Sequence, residues 1–167
     1  MSKPIEPWQL LDSSYSFRDR WLSVRSDTVR LPGGETLSPY HVVEVVDWVN
    51  VVAISEAGNV ILVEQYRHAV QRVLPEIPAG HVDSKEDREA AARRELRETG
   101  YGDGTSHTLG ALHSVASRFA NQVHSYLALG VRKIGEPQQE ESENLHIHEM
   151  PWAEFVAGLQ SGKFRLF

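Results

Sequence analysis

Residues 80–101, GHVDSKEDREAAARRELRETGY, decide how the rest of the chain is read. Gly80 opens the stretch, and Glu86 follows six residues later. A run of strong helix formers then ends in Arg94, Glu95, Leu96, Arg97 and Glu98, and Thr99-Gly100 supplies a stop. Ser84, three residues ahead of Asp87, resembles a capping box with Asp in place of Glu or Gln, so the helix is expected to begin there. Its buried face would be Ala91, Ala92 and Leu96. Small residues let a helix lie close to a sheet and hold its polar side at a fixed height.

That polar side carries the chemistry. Glu95 and Glu98 are three apart, so they share a face with Cβ atoms ~5–6 Å apart. Glu86, on the preceding loop, adds a third carboxylate. Hard oxygen donors of this kind suit Mg²⁺ or Mn²⁺. Such an ion would neutralise charge on an anionic substrate and polarise the atom under attack. Arg94 stands beside Glu95 and four before Glu98, where it can orient a carboxylate or contact phosphate. Taken alone, the helix reads as a solvated element laced with Arg–Glu pairs. The glycine, Glu86 and the Thr-Gly stop argue for a site only through the family spacing that they resemble.

Working outward, residues 48–54 (WVNVVAI) and 60–65 (VILVEQ) are β-branched runs separated by the turn Glu56-Ala57-Gly58-Asn59, and read as central strands. Residues 73–77 read as a short strand leading to Pro78-Ala79-Gly80. Residues 105–117, 123–129 and 145–150 read as further strands, and 130–144 as a polar, acidic loop. Pro151 opens a last helix, with Trp152, Phe155, Val156 and Leu159 at helical spacing. Ahead of all this, residues 18–31 and 37–46 alternate with period two around Pro32-Gly33-Gly34, which predicts a hairpin. Residues 1–17 form an arm whose Trp8, Leu10, Leu11 and Tyr15 give it something to bury. Strands before, around and after a helix imply an α/β domain with a mixed sheet flanked by helices.

The stretch at 80–101 resembles the Nudix box, the signature of Nudix hydrolases: glycine, five residues, Glu, seven residues, then Arg-Glu-aliphatic-x-Glu-Glu-x-Gly-aliphatic. The match runs from residue 80 to residue 98 and departs once, because the family has two adjacent glutamates where this chain has only Glu98. One missing residue rotates everything after it by ~100°. Either the last turn tightens into 3₁₀ geometry and Glu98 reaches the ion, or the site loses a ligand. A second resemblance is narrower. Val63-Glu64-Gln65-Tyr66-Arg67 and Leu74-Pro75-Glu76-Ile77-Pro78-Ala79-Gly80 are similar to ADP-ribose pyrophosphatases and related nucleoside-diphosphate-sugar hydrolases. This likeness covers roughly residues 18–160.

The resemblance implies a Nudix α/β/α sandwich with a mixed central sheet and an N-terminal antiparallel strand extension. It places the extension at 1–47, building a homodimer, and the catalytic domain at 48–167. It implies Mg²⁺, or Mn²⁺, held by Glu86, Glu95, Glu98 and the Ala79 carbonyl. Arg67 would contact the substrate diphosphate or distal ribose, and Glu76 would lie near metal and substrate. Read from the residues alone, Arg67 is as well explained by an ion pair with Glu64 or Glu76. The acidic loop corresponds to the segment carrying the family's mobile catalytic glutamate, with Glu143 favoured and Glu141 and Glu140 as rivals. The plain alternative is a solvated loop. Trp8 and Arg18 are candidate substrate contacts from the extension, and Trp8 reads more readily as a packing residue.

Bulk properties narrow the classes. Net charge is −6 with no basic run, which argues against a nucleic-acid partner. There are no cysteines, which removes disulfides, thiolate zinc sites and a cysteine nucleophile, and fits a reducing cytoplasm. No apolar run approaches the ~20 residues that span a bilayer. His146 and His148 alternate on one predicted strand and His107, His113 and His124 are scattered, without a known zinc-ligand frame. The expected function is Mg²⁺-dependent hydrolysis of ADP-ribose or a similar nucleoside diphosphate sugar. The alternative is a nucleotide-sugar-binding module on the same scaffold with impaired chemistry.

Overall fold

The computed structural model describes residues 4–138 and 145–164. The chain forms two units, Met1–Val46 with His113–Gln122, and Asp47–Leu112 with Val123–Phe167.

The first unit is a three-stranded antiparallel sheet, β1 (Gln9–Arg18), β2 (Ser23–Arg30) and β3 (Thr36–Glu44), paired in that order. The expected hairpin is β2–β3. The arm, given no secondary structure from the sequence, supplies a third strand. Its serines at 13, 14 and 16 break the apolar alternation, and bulges between Leu10 and Asp12 and between Tyr15 and Phe17 shift its register. Buried Asp27 on β2 takes hydrogen bonds from Arg25 Nε (2.9 Å) and Ser13 Oγ (2.7 Å), and the guanidinium above all holds its carboxyl below the ordinary range. His113–Gln122 joins this unit through Val43, whose N–H donates to the Arg118 carbonyl (2.7 Å) and whose carbonyl accepts from the Ala120 N–H (3.1 Å). The strand predicted over 105–117 therefore stops earlier, at Leu112.

The second unit is built on an eight-stranded mixed sheet. Its strands are β4 (Trp48–Ser55), β5 (Asn59–Arg67), β6 (Arg72–Glu76), β7 (Ala79–His81), β8 (Tyr101–Gly102), β9 (Thr105–Leu112), β10 (Val123–Lys133) and β11 (Leu145–Pro151). The order is β11-β5-β4-β10-β8, with β6 on β5, β7 on β4 and β9 on β10. Only the β4–β10 pairing is parallel among the described strands. The helices are α1 (Arg88–Glu98) and α2 (Trp152–Gln160). Val49, Val51 and Ala53 of β4 and Ile61 of β5 form one core cluster with Ala91, Ala92 and Leu96 of α1. Val60 and Leu62 join a second with Phe155 of α2 and Phe164. Successive strand residues point to opposite faces, so α1 and α2 cover opposite sides of the sheet. This is the expected α/β/α sandwich.

Two local features position the site. Helix α1 is capped by Asp87, whose Oδ1 accepts from the N–H groups of Glu89 (3.0 Å) and Ala90 (3.1 Å). The capping role expected of Ser84 therefore belongs to Asp87, which stands directly before the first helical residue. Strands β4 and β5 share one registered pair, Ile54 with Val60, beside their connecting turn. Further along, β7 pairs with β4 from Trp48 to Asn50 and β6 pairs with β5 from Val63 to Arg67. The two central strands thus diverge, and α1 packs on β4 and β7 beside the opening.

Candidate active site

A cavity of about 350 Å³ opens at this divergence. Arg67 reaches it from β5, Ala79 and Gly80 from β7, and Arg94, Glu95 and Glu98 from α1. All belong to the second unit. Arg94 lies among the box carboxylates. Its Nη2 is 3.0 Å from Glu86 Oε2, and its Nη1 is 2.7 Å from Glu95 Oε1 and 3.2 Å from Glu98 Oε1. Its Nη2 also donates to the His81 carbonyl (3.0 Å). The guanidinium is held firmly protonated, chiefly by Glu86, and Glu86 in turn is held below the ordinary carboxylate range by Arg94. Glu95 is different. Burial first, and then the like charge of Glu98, push its carboxyl upward against the pull of Arg94.

The last turn of α1 is tightened. The Thr99 N–H donates to Leu96 O (3.1 Å) and the Gly100 N–H to Arg97 O (2.8 Å), both i to i−3. The helix tightens at its end, and Glu98 shares the cavity wall with Glu95. Gly100 takes φ +82°, the left-handed conformation expected of a C-terminal glycine. Thr99 is buried, turns its hydroxyl back to Leu96 O (2.6 Å) and does not line this cavity.

Do these residues fit a divalent cation? Among the described residues no three acidic or histidine side chains form a ready-made metal-ligand group, because Arg94 spans the three carboxylates. The donors are nonetheless of the right kind. Two carboxylates and Ala79 line one cavity, and the missing side chain at Gly80 makes room for the Glu95 carboxylate, which a Cβ there would meet. That oxygen-lined wall fits an ion that keeps part of its water shell.

Arg67 is paired with Glu76, through Nε (2.9 Å to Oε2) and Nη2 (2.6 Å), and the Gln65 amide also donates to Glu76 (3.2 Å). Of the two ion-pair partners open from sequence, Glu76 is the one found, and the pair stands at the cavity edge. Trp8 and Arg18 belong to the first unit, where Trp8 packs edge-on against Tyr40 (5.6 Å between centroids) and Arg18 covers the Tyr15 ring (4.5 Å). Glu140, Glu141 and Glu143 lie outside the described residues. The reading of 130–144 as loop changes at its start, since β10 runs on to Lys133.

Trp48, Gln65, His81 and Gln138 also line the cavity and were not expected from sequence. Gln65 was within reach, because it shares a strand face with Arg67 two residues on. Trp48 and His81 meet only through β4–β7 register, and Gln138 only through the return of the chain after β10.

A sequence profile of the NUDIX domain matches residues 46–166, and one described as the nucleoside diphosphate sugar hydrolase N-terminal domain matches residues 8–43. The chain is 38% identical over 123 residues to an ADP-ribose pyrophosphatase of Mycobacterium tuberculosis (strain ATCC 25618 / H37Rv), over 72% of this chain and 59% of that protein. It therefore spans less than two thirds of that relative. It is 31% identical over 137 residues to an ADP-ribose pyrophosphatase of Bacillus subtilis (strain 168), over 80% of this chain and 73% of that one. A solved structure described as an ADP compounds hydrolase superposes with a TM-score of 0.81 over 95% of this chain and 86% of that chain, at 23% identity, a likeness of fold. With the box on α1, the Gln-Tyr-Arg strand and a NUDIX profile matched over most of its length, the chain belongs to the Nudix family, which generally uses a divalent metal ion.

Proposed function

We propose that the chain hydrolyses the pyrophosphate bond of ADP-ribose or a related nucleoside diphosphate sugar with Mg²⁺, giving a nucleoside monophosphate and a sugar phosphate. The observation that carries this is the cavity itself, where Arg67 and the Glu95–Glu98 pair line one space. A diphosphate lying there meets a guanidinium, and Glu95, Glu98 and the Ala79 carbonyl face it as cation ligands. Glu86 supports them through Arg94. When bound, the ion supplies charge neutralisation and polarises the phosphorus. Arg67 spends Nε and Nη2 on Glu76. Its Nη1, unpartnered among the described residues, is directed to a phosphate oxygen. Water attacks phosphorus, the bridging P–O bond breaks, and the proton of the water passes to Glu143, or to Glu141 or Glu140, as general base. Trp8 and Arg18 would contact the nucleoside in a homodimer. The relatives named as ADP-ribose pyrophosphatases support the substrate class. Chromatography of ADP-ribose incubated with the chain and Mg²⁺ should show AMP and ribose 5-phosphate. No turnover of any nucleoside diphosphate sugar would sink the reading, and a parallel series with Mn²⁺ decides the ion.

One observation favours a second reading, a module that binds nucleotide sugars without efficient turnover. Thr99 stands buried where the family box carries another glutamate, so the wall has one carboxylate fewer. Calorimetric binding of ADP-ribose without hydrolysis, or without dependence on Mg²⁺, would support it.

A further inference from the structure

We infer that Gln138 supplies a neutral oxygen ligand to the cation held by Glu95 and Glu98. This rests on the metal-dependent reading above. Three backbone bonds tie the chain after β10 to the end of α1: the Gln138 N–H donates to Glu98 O (2.8 Å), and those of Ile134 (2.8 Å) and Gly135 (3.3 Å) donate to Gly100 O. The last carbonyls of a helix have no partner within it, and here a distant segment satisfies them. Capping fixes the Gln138 backbone beside the residue whose carboxylate forms the wall. Gln138 lines the main cavity with Glu95 and Glu98, and also an adjoining recess with the same two glutamates, Gln65 and Thr99.

The chemistry of the wall gives that amide its use. Mg²⁺ takes six oxygens in near-octahedral geometry and gives up its water reluctantly. Two carboxylates and one peptide carbonyl fill part of that shell. Thr99 is turned inward, and the other cavity glutamine, Gln65, has its amide nitrogen on Glu76. Gln138, whose backbone is tied to Glu98, brings a neutral amide to the wall that carries both carboxylates. It adds a ligand without adding to the repulsion between them. The tightened last turn of α1 is what brings Glu98 and the Gln138 cap to the same wall.

The test is metal affinity without substrate, by Mn²⁺ paramagnetic-resonance titration and by Mg²⁺ calorimetry, on wild type, Gln138→Ala and Gln138→Glu. Both variants keep the backbone N–H that caps Glu98, and unfolding curves check that each is folded. Gln138→Ala should weaken binding about tenfold, the lower end of what altering a metal site's surroundings does. Gln138→Glu should tighten it by a similar factor. Unchanged affinity in both variants overturns the assignment and leaves the metal-dependent reading standing. An unchanged metal affinity with a raised KM in Gln138→Ala also overturns it, and makes Gln138 a substrate contact. A wild type that binds neither ion overturns both.

Discussion

Gly80 has no room for a side chain because the Glu95 carboxylate occupies that space. Gly80→Ala should therefore displace Glu95. Overpacking of this kind costs about 1–3 kcal/mol, and the loss in kcat should exceed what that destabilisation explains; thermal unfolding and steady-state kinetics on one preparation separate the two. Arg67 should behave oppositely. Its pair with Glu76 is partly solvated, with the guanidinium 36% exposed, and such pairs contribute about 0–1 kcal/mol. Arg67→Ala should raise KM for ADP-ribose while leaving the melting temperature nearly unchanged. A large drop in stability with unaltered KM would make the pair purely structural. At this scale the sequence was most informative about residues close together in the chain. Glu86, Arg94, Glu95 and Glu98 converge because helical spacing and one loop bring them together. Trp48 and His81 escaped because only strand register between distant segments makes them neighbours.

Helix α1 shows how element boundaries are decided by hydrogen bonds rather than by composition. Ser84 and Asp87 both have capping side chains, and only Asp87 reaches the free N–H groups. Asp87→Ala should cost about 1 kcal/mol, and Ser84→Ala should cost far less; urea unfolding of the two variants distinguishes them. The sheet has its own anchor. Glu149 of β11 accepts from Asn59 Nδ2 (2.9 Å), Ser55 Oγ (3.1 Å) and Tyr101 Oη (2.9 Å), tying β11 to β8 and to the β4–β5 turn. The Asn59 bond foremost holds its carboxyl below the ordinary value of 4.5, while burial and Glu149 push the Tyr101 hydroxyl up to about 12. A carboxyl lowered on folding binds protons less tightly in the folded state. Its stabilisation is present above 4.5 and lost as pH falls through the lower folded value. Wild type should lose more stability than Glu149→Gln on acidification across that window, and equal losses would remove Glu149 as the cause. The β-branched runs placed the central strands, and β1 was missed because its serines break the apolar alternation and bulges shift its register.

At the scale of the molecule, grouping by contact crosses the order of the sequence. His113–Gln122 joins the N-terminal strands through Val43, a link that no local pattern announces. The first unit leaves Leu10, Tyr15 and Phe17 of β1, and Trp8 just ahead of it, about half exposed. An apolar face of that kind is expected to be covered in solution by a second copy of the chain, and light scattering should give twice the chain mass; a monomer across a wide concentration range would count against it. The second unit brings the box, the Gln-Tyr-Arg strand and the return after β10 to one cavity, the space in which the proposed hydrolysis would take place. The most direct measurement is a steady-state assay of ADP-ribose hydrolysis, with and without Mg²⁺, on wild type and Glu98→Gln. The account predicts AMP and ribose 5-phosphate from wild type only when Mg²⁺ is present, and a loss in kcat of about a hundredfold or more in Glu98→Gln, the scale seen when metal sites are disturbed. Hydrolysis that survives without Mg²⁺, or at the wild-type rate in Glu98→Gln, would contradict it.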